Sequence, residues 1–207
     1  MYKQDTIAAI ATPPGEGSIA VIRMSGGDAE RIAARVFFRN RDENRKLQSH
    51  RLYHGTLRDP RSARAVDEVL LVIMRQPRSY TGEDVVEIHC HGGAFIARRV
   101  LQLVLSEGAR QAEPGEFTKR AFLNGRLDLS RAEAVLDLIR ARTDRSAALA
   151  LDQASGNLSH WVEELRSELL NLLVQVEAAI DFPDEEIELL KRQELTQEVA
   201  GLTDKIL

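Results

Sequence analysis

Residues 12–26 read TPPGEGSIAVIRMSG, and the choice of fold turns on how this stretch is interpreted. Gly15-Glu16-Gly17-Ser18-Ile19-Ala20 satisfies the G-x-G-x-x-A dinucleotide fingerprint. That pattern marks a phosphate cradle only where a strand precedes it, a helix starts at its second glycine and an acid follows about 20 residues on. The context fails twice. Gly17 is followed by SIAVIRM, in which Ile19 and Val21 alternate with Ala20 and Ile22, a strand pattern. The position about 20 residues on falls among Val36, Phe37, Phe38 and Arg39, with no acid before Asp42. Pro13-Pro14 sets a rigid, extended approach to a glycine-rich turn. The segment therefore reads as strand (Thr6 to Ala11), loop, strand (Ser18 to Met24). No Gly-Lys-Ser/Thr occurs anywhere, which excludes a Walker P-loop.

The chain has 207 residues, enough for one or two domains with cores of their own. Its 43% hydrophobic and 29% charged content is ordinary for a soluble protein. Apolar runs such as Val69 to Met74 are too short to span a bilayer, and the start MYKQD lacks the apolar centre of a signal peptide. Cys90 is the single cysteine, so there is no internal disulfide and no cysteine-based zinc cluster. A cytoplasmic location and no membrane association are expected. The net charge of -4 divides unevenly: residues 1–130 hold 20 basic and 16 acidic side chains (+4), residues 131–207 hold 8 and 16 (-8). Two structural units with different partners, or two solvated surfaces that differ only in decoration, both fit this split.

Outward from the opening stretch, β-like runs alternate with helical ones. A helix over about Asp28–Phe38 is followed by the strands RLYHGTL, EVLLVIM and DVVEIHC, then by a helix over about Gly93–Glu107 with Phe95, Ile96, Val100, Leu103 and Val104 on one face. The charged run FRNRDENRKLQ, 38–48, reads as an exposed loop. Beyond Leu129 the strand signal vanishes. Ser130 and Glu133 have capping-box spacing and predict a helix start. Leu158, Trp161, Val162, Leu165, Leu169, Leu172, Leu173, Val176 and Ile180 form a heptad-like stripe that calls for helical neighbours and, with few helices available, predicts exposed apolar surface. Pro183 with Asp184-Glu185-Glu186 restarts a helix, which explains the acidic run without a metal. A helical pattern continues to Leu207 without a stop signal, as in a chain that is cut. The class is α+β, with a mixed domain over 1–120 and the first part of a helical domain over 121–207.

Two segments carry candidate chemistry. In SYTGEDVVEIHCHGG, 79–93, strand alternation places Val86, Ile88 and Cys90 on one face, and Val85, Glu87, His89 and His91 on the other. The polar row suits a ligand pocket or an interface, a metal if a third ligand comes from elsewhere, or a plain solvated face. Gly92-Gly93 permits close backbone approach to a ligand. Cys90, on the apolar face, reads as an inert buried thiol. In EPGEFTKRAFLNGRLDLSRAEAV, 113–135, Lys119, Arg120 and Arg126 flank the Asn124-Gly125 turn, a setting for an anionic group or for a solvated helix end.

Together, DTIAAIATPPGEGSIAVIRMSG, SYTGEDVVEIHCHGG, PGEFTKRAFLNGRLDLSRAEAVLDLI and EAAIDFPDEE, in this order, closely resemble the amino-terminal part of the MnmE (TrmE) family of tRNA modification GTPases. The resemblance covers essentially the whole chain. It implies a domain similar to the tetrahydrofolate-binding domain of aminomethyltransferases that forms the homodimer contact and binds 5-formyltetrahydrofolate or a related one-carbon folate. The folate contacts fall on Arg23, Glu87 and Arg126; no catalytic residue and no metal ligand is assigned. The glycine loop then belongs to a folate and dimer platform. The implied partners are the FAD-containing MnmG (GidA) and, in the full complex, tRNA, whose wobble uridine is modified. The family's Ras-like G domain, which uses GTP, Mg2+ and K+, and its carboxy-terminal cysteine motif and folate contact are missing from this sequence, so GTP hydrolysis by this chain alone is not expected. An interaction scaffold that binds no ligand, its acidic helices docking a partner, is the alternative, as is a self-sufficient folate-dependent methyltransferase, for which no catalytic residues are found. The sequence shows no aromatic stacking platform for RNA.

Overall fold

The computed structural model describes residues 5–39, 46–181 and 192–206. The chain divides into a unit of residues 1–128 and a unit of residues 129–207.

In the first unit the opening stretch is a strand, loop and strand. β1 (Ile7–Ile10) pairs antiparallel with β2 (Ile19–Ser25), so the glycines lie between two strands and start no helix. The remaining elements are α1 (Ala29–Val36), β3 (Phe37–Phe38), β4 (Leu52–Arg58), β5 (Ala65–Met74), β6 (Val85–His91), α2 (Ala94–Ser106), β7 (Arg110–Gln111) and α3 (Glu116–Leu123). They build a seven-stranded sheet in the order β3-β4-β5-β6-β2-β1-β7, antiparallel throughout except for β1 beside β7. This mixed sheet with helices fulfils the α+β expectation. The helix expected to reach Phe38 stops at Val36, because Phe37 and Phe38 turn extended and pair with Leu57 and Thr56. Residues 40–45 of the expected exposed loop lie outside the described residues.

The core sits on one face of the sheet. Ala20, Ile22, Met24, Val69, Leu71, Ile73, Val86, Ile88 and Cys90 point towards Ile32 and Val36 of α1 and Val100 and Val104 of α2. Each fully buried aliphatic side chain of this set contributes about 1.5–3 kcal/mol from water exclusion. The alternate positions, including Ile19, Arg23, Leu70, Glu87 and His89, face away from that core, as the period of two requires.

The second unit contains α4 (Leu129–Arg140), α5 (Asp144–Ser155), α6 (Asn157–Asp181) and α7 (Arg192–Ile206). The expected start at Ser130 is displaced by one residue: Leu129 is already helical, and Ser130 Oγ accepts a 3.2 Å hydrogen bond from Nε2 of Gln153 on α5. A true capping box opens α5 instead, where Thr143 and Ser146 satisfy each other's backbone amides. Of the α6 stripe, Leu165 and Leu172 are buried with Leu202 of α7, whereas Leu158, Trp161, Val162, Leu169, Leu173, Val176 and Ile180 are exposed, as expected. The helix restart at Pro183 with Asp184-Glu185-Glu186 lies outside the described residues. No described helix is long and apolar enough to cross a membrane.

Gly92 shows what the glycine loop packs against. A Cβ at Gly92 would lie 1.8 Å from the carbonyl oxygen of Gly17, and the Gly92 amide donates to Ser18 O at 3.1 Å. The close approach expected there for a ligand is made by the protein's own backbone. Gly92→Ala should therefore force the two segments apart and lower stability by about 1–3 kcal/mol, a typical overpacking cost, read as a shift of the urea midpoint.

Candidate functional site

Arg23 and Glu87 are directly paired across β2 and β6. The guanidinium donates from Nε to Glu87 Oε1 at 2.8 Å, and its second contact to the same oxygen is 2.7 Å. Both side chains are partly buried, which strengthens the pair over one in open water. Glu87 Oε2 faces His89 Nε2 at 3.4 Å. His91 turns to a different carboxylate, Asp67, at 2.7 Å, so the two imidazoles of this strand are each directed at their own acid.

Two aromatic rings frame the arginine. The Arg23 guanidinium lies 5.4 Å from the centroid of Tyr80 and 5.8 Å from that of Phe117, within cation–π range. Tyr80 is fixed by a 2.8 Å hydrogen bond between its hydroxyl and Thr118 Oγ1. Neither ring was singled out from the sequence, although both stand in the quoted motifs, Tyr80 in SYTGED and Phe117 in GEFTKR. The signal was an aromatic beside each polar cluster.

Arg126 reaches the same loop from outside. Its Nε donates to Ser79 O at 3.2 Å, and Asn124 Nδ2 donates to Thr81 O at 2.8 Å, so the turn after α3 clasps residues 79–81. Arg126 thus adjoins Tyr80, the residue over which Arg23 lies, and no direct contact joins it to the Arg23–Glu87 pair among the described residues. Two clefts lie nearby in the first unit. One, of about 440 Å3, is lined by residues 12–17 and by Gly93, Ala94, Ala97 and Arg98. The other, of about 660 Å3, is lined by Asp5, Gly26, Gly27, Glu83, Asp84 and Asn124 among others. Arg23, Glu87 and Arg126 line neither.

Arg120, one of the three cations beside the Asn124-Gly125 turn for which an anionic group or a solvated helix end was expected, is 1% exposed and committed to the protein. It bonds Asp5 O at 2.8 Å and forms ion pairs with Asp5, with Glu83 at 3.2 Å and with Glu116 at 3.2 Å. A guanidinium at that depth is tolerable only when its donors meet carboxylates, which is why three acids converge there. Arg110 extends the cluster to Asp5 and Glu116 at 2.7 and 2.6 Å. Ser25 ties in Glu83 and Thr81, both at 2.7 Å. Cys90 is buried as expected, and loss of hydration pushes its thiol up to about 11, away from nucleophilic use at neutral pH.

A family model described as the amino-terminus of the GTP-binding protein TrmE matches residues 6–126, and one described as the MnmE helical domain matches residues 129–207. The chain belongs to the MnmE (TrmE) family. Relatives called tRNA modification GTPase MnmE include that of Enterococcus faecalis, 55% identical over 180 residues, covering 87% of this chain and 39% of the relative. The Geobacter sulfurreducens relative is 54% identical over 206 residues, covering 100% and 45%. That of Geobacillus thermodenitrificans is 52% identical over 212 aligned positions, covering 100% and 46%. This chain spans less than half the length of these MnmE relatives.

The cluster around Arg120 gives the fold an acid limit. Hydrogen bonding from Arg110 holds the Glu116 carboxyl at about 2, against an ordinary value of 4.5. Its folded value lies below its unfolded one, so its stabilisation is complete above about pH 4.5 and drains as pH falls towards 2. Glu116→Gln should be less stable at neutral pH and should lose less further stability than the parent between pH 4.5 and 2, measured by denaturant titration at each pH.

Proposed function

We propose that this chain is the tetrahydrofolate-binding and dimerisation module of a cytoplasmic tRNA modification GTPase that, with its FAD-containing partner MnmG, modifies the wobble uridine of certain tRNAs. The observation that carries this reading is the Arg23–Glu87 pair, whose guanidinium lies within cation–π range of Tyr80 and Phe117, on the sheet face away from the α1 and α2 core. The chemistry fits a pterin. Glu87 offers carboxylate oxygens to the paired N–H donors of an aminopyrimidine edge, Tyr80 and Phe117 offer ring faces, and Arg23 and Arg126 offer donors to an oxygen or to a glutamate tail. The bound folate would supply a one-carbon unit. The chain's residues would recognise and orient it, with no catalytic group of their own.

The same sheet face supports self-association. By register, Ile19 stands opposite His91 and Leu70 opposite His89, on the side that bears Arg23 and Glu87. Ile19 is 62% and Leu70 38% exposed, apolar area of the kind a second copy would cover. Light scattering of the 207-residue chain should report a dimer, and a monomer at high micromolar concentration would remove dimerisation from the proposal.

Titration calorimetry with 5-formyltetrahydrofolate tests the site. A charge-assisted hydrogen bond is worth about 1.5–3 kcal/mol, so Glu87→Ala or Arg23→Ala should weaken binding roughly 10- to 150-fold. Cys90→Ser, which buries a hydroxyl on the core side of the same strand, should lower stability and leave folate affinity near that of the parent. Parent-like affinity in Glu87→Ala would refute the assignment.

A further inference from the structure

The edge of the first unit's sheet carries a second pocket, which shares no residue with the Arg23–Glu87 pair. The pairing of β3 with β4 brings together the residues on either side of the connection between them. Arg39 directly follows β3, Arg51 directly precedes β4, and Lys46 and Gln48 lie between them in sequence. These four and Tyr53 of β4 line a pocket of about 200 Å3. Among the described residues the lining holds three cations and no carboxylate. Among the described residues, none of the three forms an ion pair, in contrast to Arg23, Arg75, Arg110 and Arg120.

The polar groups are arranged for an anion. Tyr53 Oη accepts a 2.7 Å hydrogen bond from the Gln48 amide, which leaves the phenolic proton to be donated elsewhere. The Arg39 guanidinium lies over the Tyr53 ring at 4.9 Å, which fixes the plane of its donors. Three like charges around so small a space repel one another until an anion enters. The volume is below the range of pockets that enclose whole small molecules, about 300–1,000 Å3, and it accommodates one tetrahedral anionic group of something larger that passes over it. Cations with an aromatic partner are the chemistry that nucleic-acid backbones recruit. The net charge of the chain is -4, so attraction to a polyanion has to be local.

We infer that the pocket of Arg39, Lys46, Arg51, Gln48 and Tyr53 binds a phosphodiester of an RNA strand. This rests on the reading of the chain as part of a tRNA-modifying protein, and it gives the folate-binding unit its own grip on the RNA. The contact is to the backbone, so it positions the RNA and reads no sequence.

Fluorescence anisotropy with end-labelled transcribed tRNA and the 207-residue chain, over a series of KCl concentrations, tests it. The triple variant Arg39→Glu, Lys46→Glu, Arg51→Glu should bind tRNA at least about tenfold more weakly and flatten the slope of log K against log[KCl] by about one, the share of one phosphate contact. The same change of charge at the exposed Arg140, Arg142 and Arg145 of the second unit should leave the slope unchanged. If the triple variant is misfolded by circular dichroism, Arg51→Glu alone, at an exposed side chain, should still weaken tRNA binding several-fold and flatten the slope by up to about one. Parent-like affinity and slope in the folded variant, or no tRNA binding by the parent, overturns the inference. Titration with 5-formyltetrahydrofolate separates the two readings: a folded triple variant that binds folate normally and tRNA weakly supports the pocket, whereas a parent that binds tRNA but no folate overturns only the folate assignment.

Discussion

A buried guanidinium organises the first unit. Arg120 is almost wholly removed from water, and an unpaired charge there would cost several kcal/mol. Its carboxylate partners come from three places in the chain: Asp5 ahead of β1, Glu83 ahead of β6, and Glu116 one turn back on α3. Satisfying one side chain therefore fixes where three segments meet. The loop over residues 79–84 is held from this side through Glu83 and Thr81, and from the other by Arg126 and Asn124. Tyr80 sits in the middle of that loop, and its position over Arg23 follows from the clamp. The site depends on the cluster without sharing a residue with it.

Much of this architecture was legible because strands impose a strict alternation. Once SIAVIRM and DVVEIHC are read with a period of two, Arg23 and Glu87 fall on one face and Cys90 on the other, and antiparallel register then sets Arg23 opposite Glu87. The failure of the dinucleotide fingerprint was also local: a β-branched run followed the glycines where a helix was needed. What stayed hidden depended on distant partners. Arg120 and Arg126 look alike in a sequence, yet one is sunk among three acids and the other lies at the surface, because only the fold decides where Asp5 and Glu83 arrive. The Gly92-Gly93 pair suggests close approach to a ligand, but the group that approaches Gly92 is the backbone of Gly17, far earlier in the chain, and no local pattern encodes that. Phe117 and Tyr80 carry no local mark of their role, because their approach to Arg23 from α3 and the loop ahead of β6 is set by tertiary packing.

The helical unit illustrates the opposite limit. A stripe at helical spacing states that a face is apolar, not what covers it. Of the nine residues in the α6 stripe only Leu165 and Leu172 are buried, and their neighbours carry the same pattern in the open. Helical periodicity is satisfied equally by a core and by an unfilled surface, so the sequence could set the direction of the stripe without its occupancy.

The place of β1 in the sheet bears on the order in which the protein can be made. This strand lies between β2 and β7, so it is flanked by an early partner and a late one. The salt links that seal it, Arg110 and Arg120 to Asp5, span 105 and 115 positions. During synthesis the amino-terminal hairpin of β1 and β2 can close as soon as it leaves the ribosome, whereas its outer edge stays unpaired until β7 has followed. Long-range closure of this kind is slow relative to local pairing. The nascent unit thus passes through a period in which an almost complete sheet still offers the open edge of β1; the emergence of β7 ends that period, and Arg120 then locks Asp5 in place.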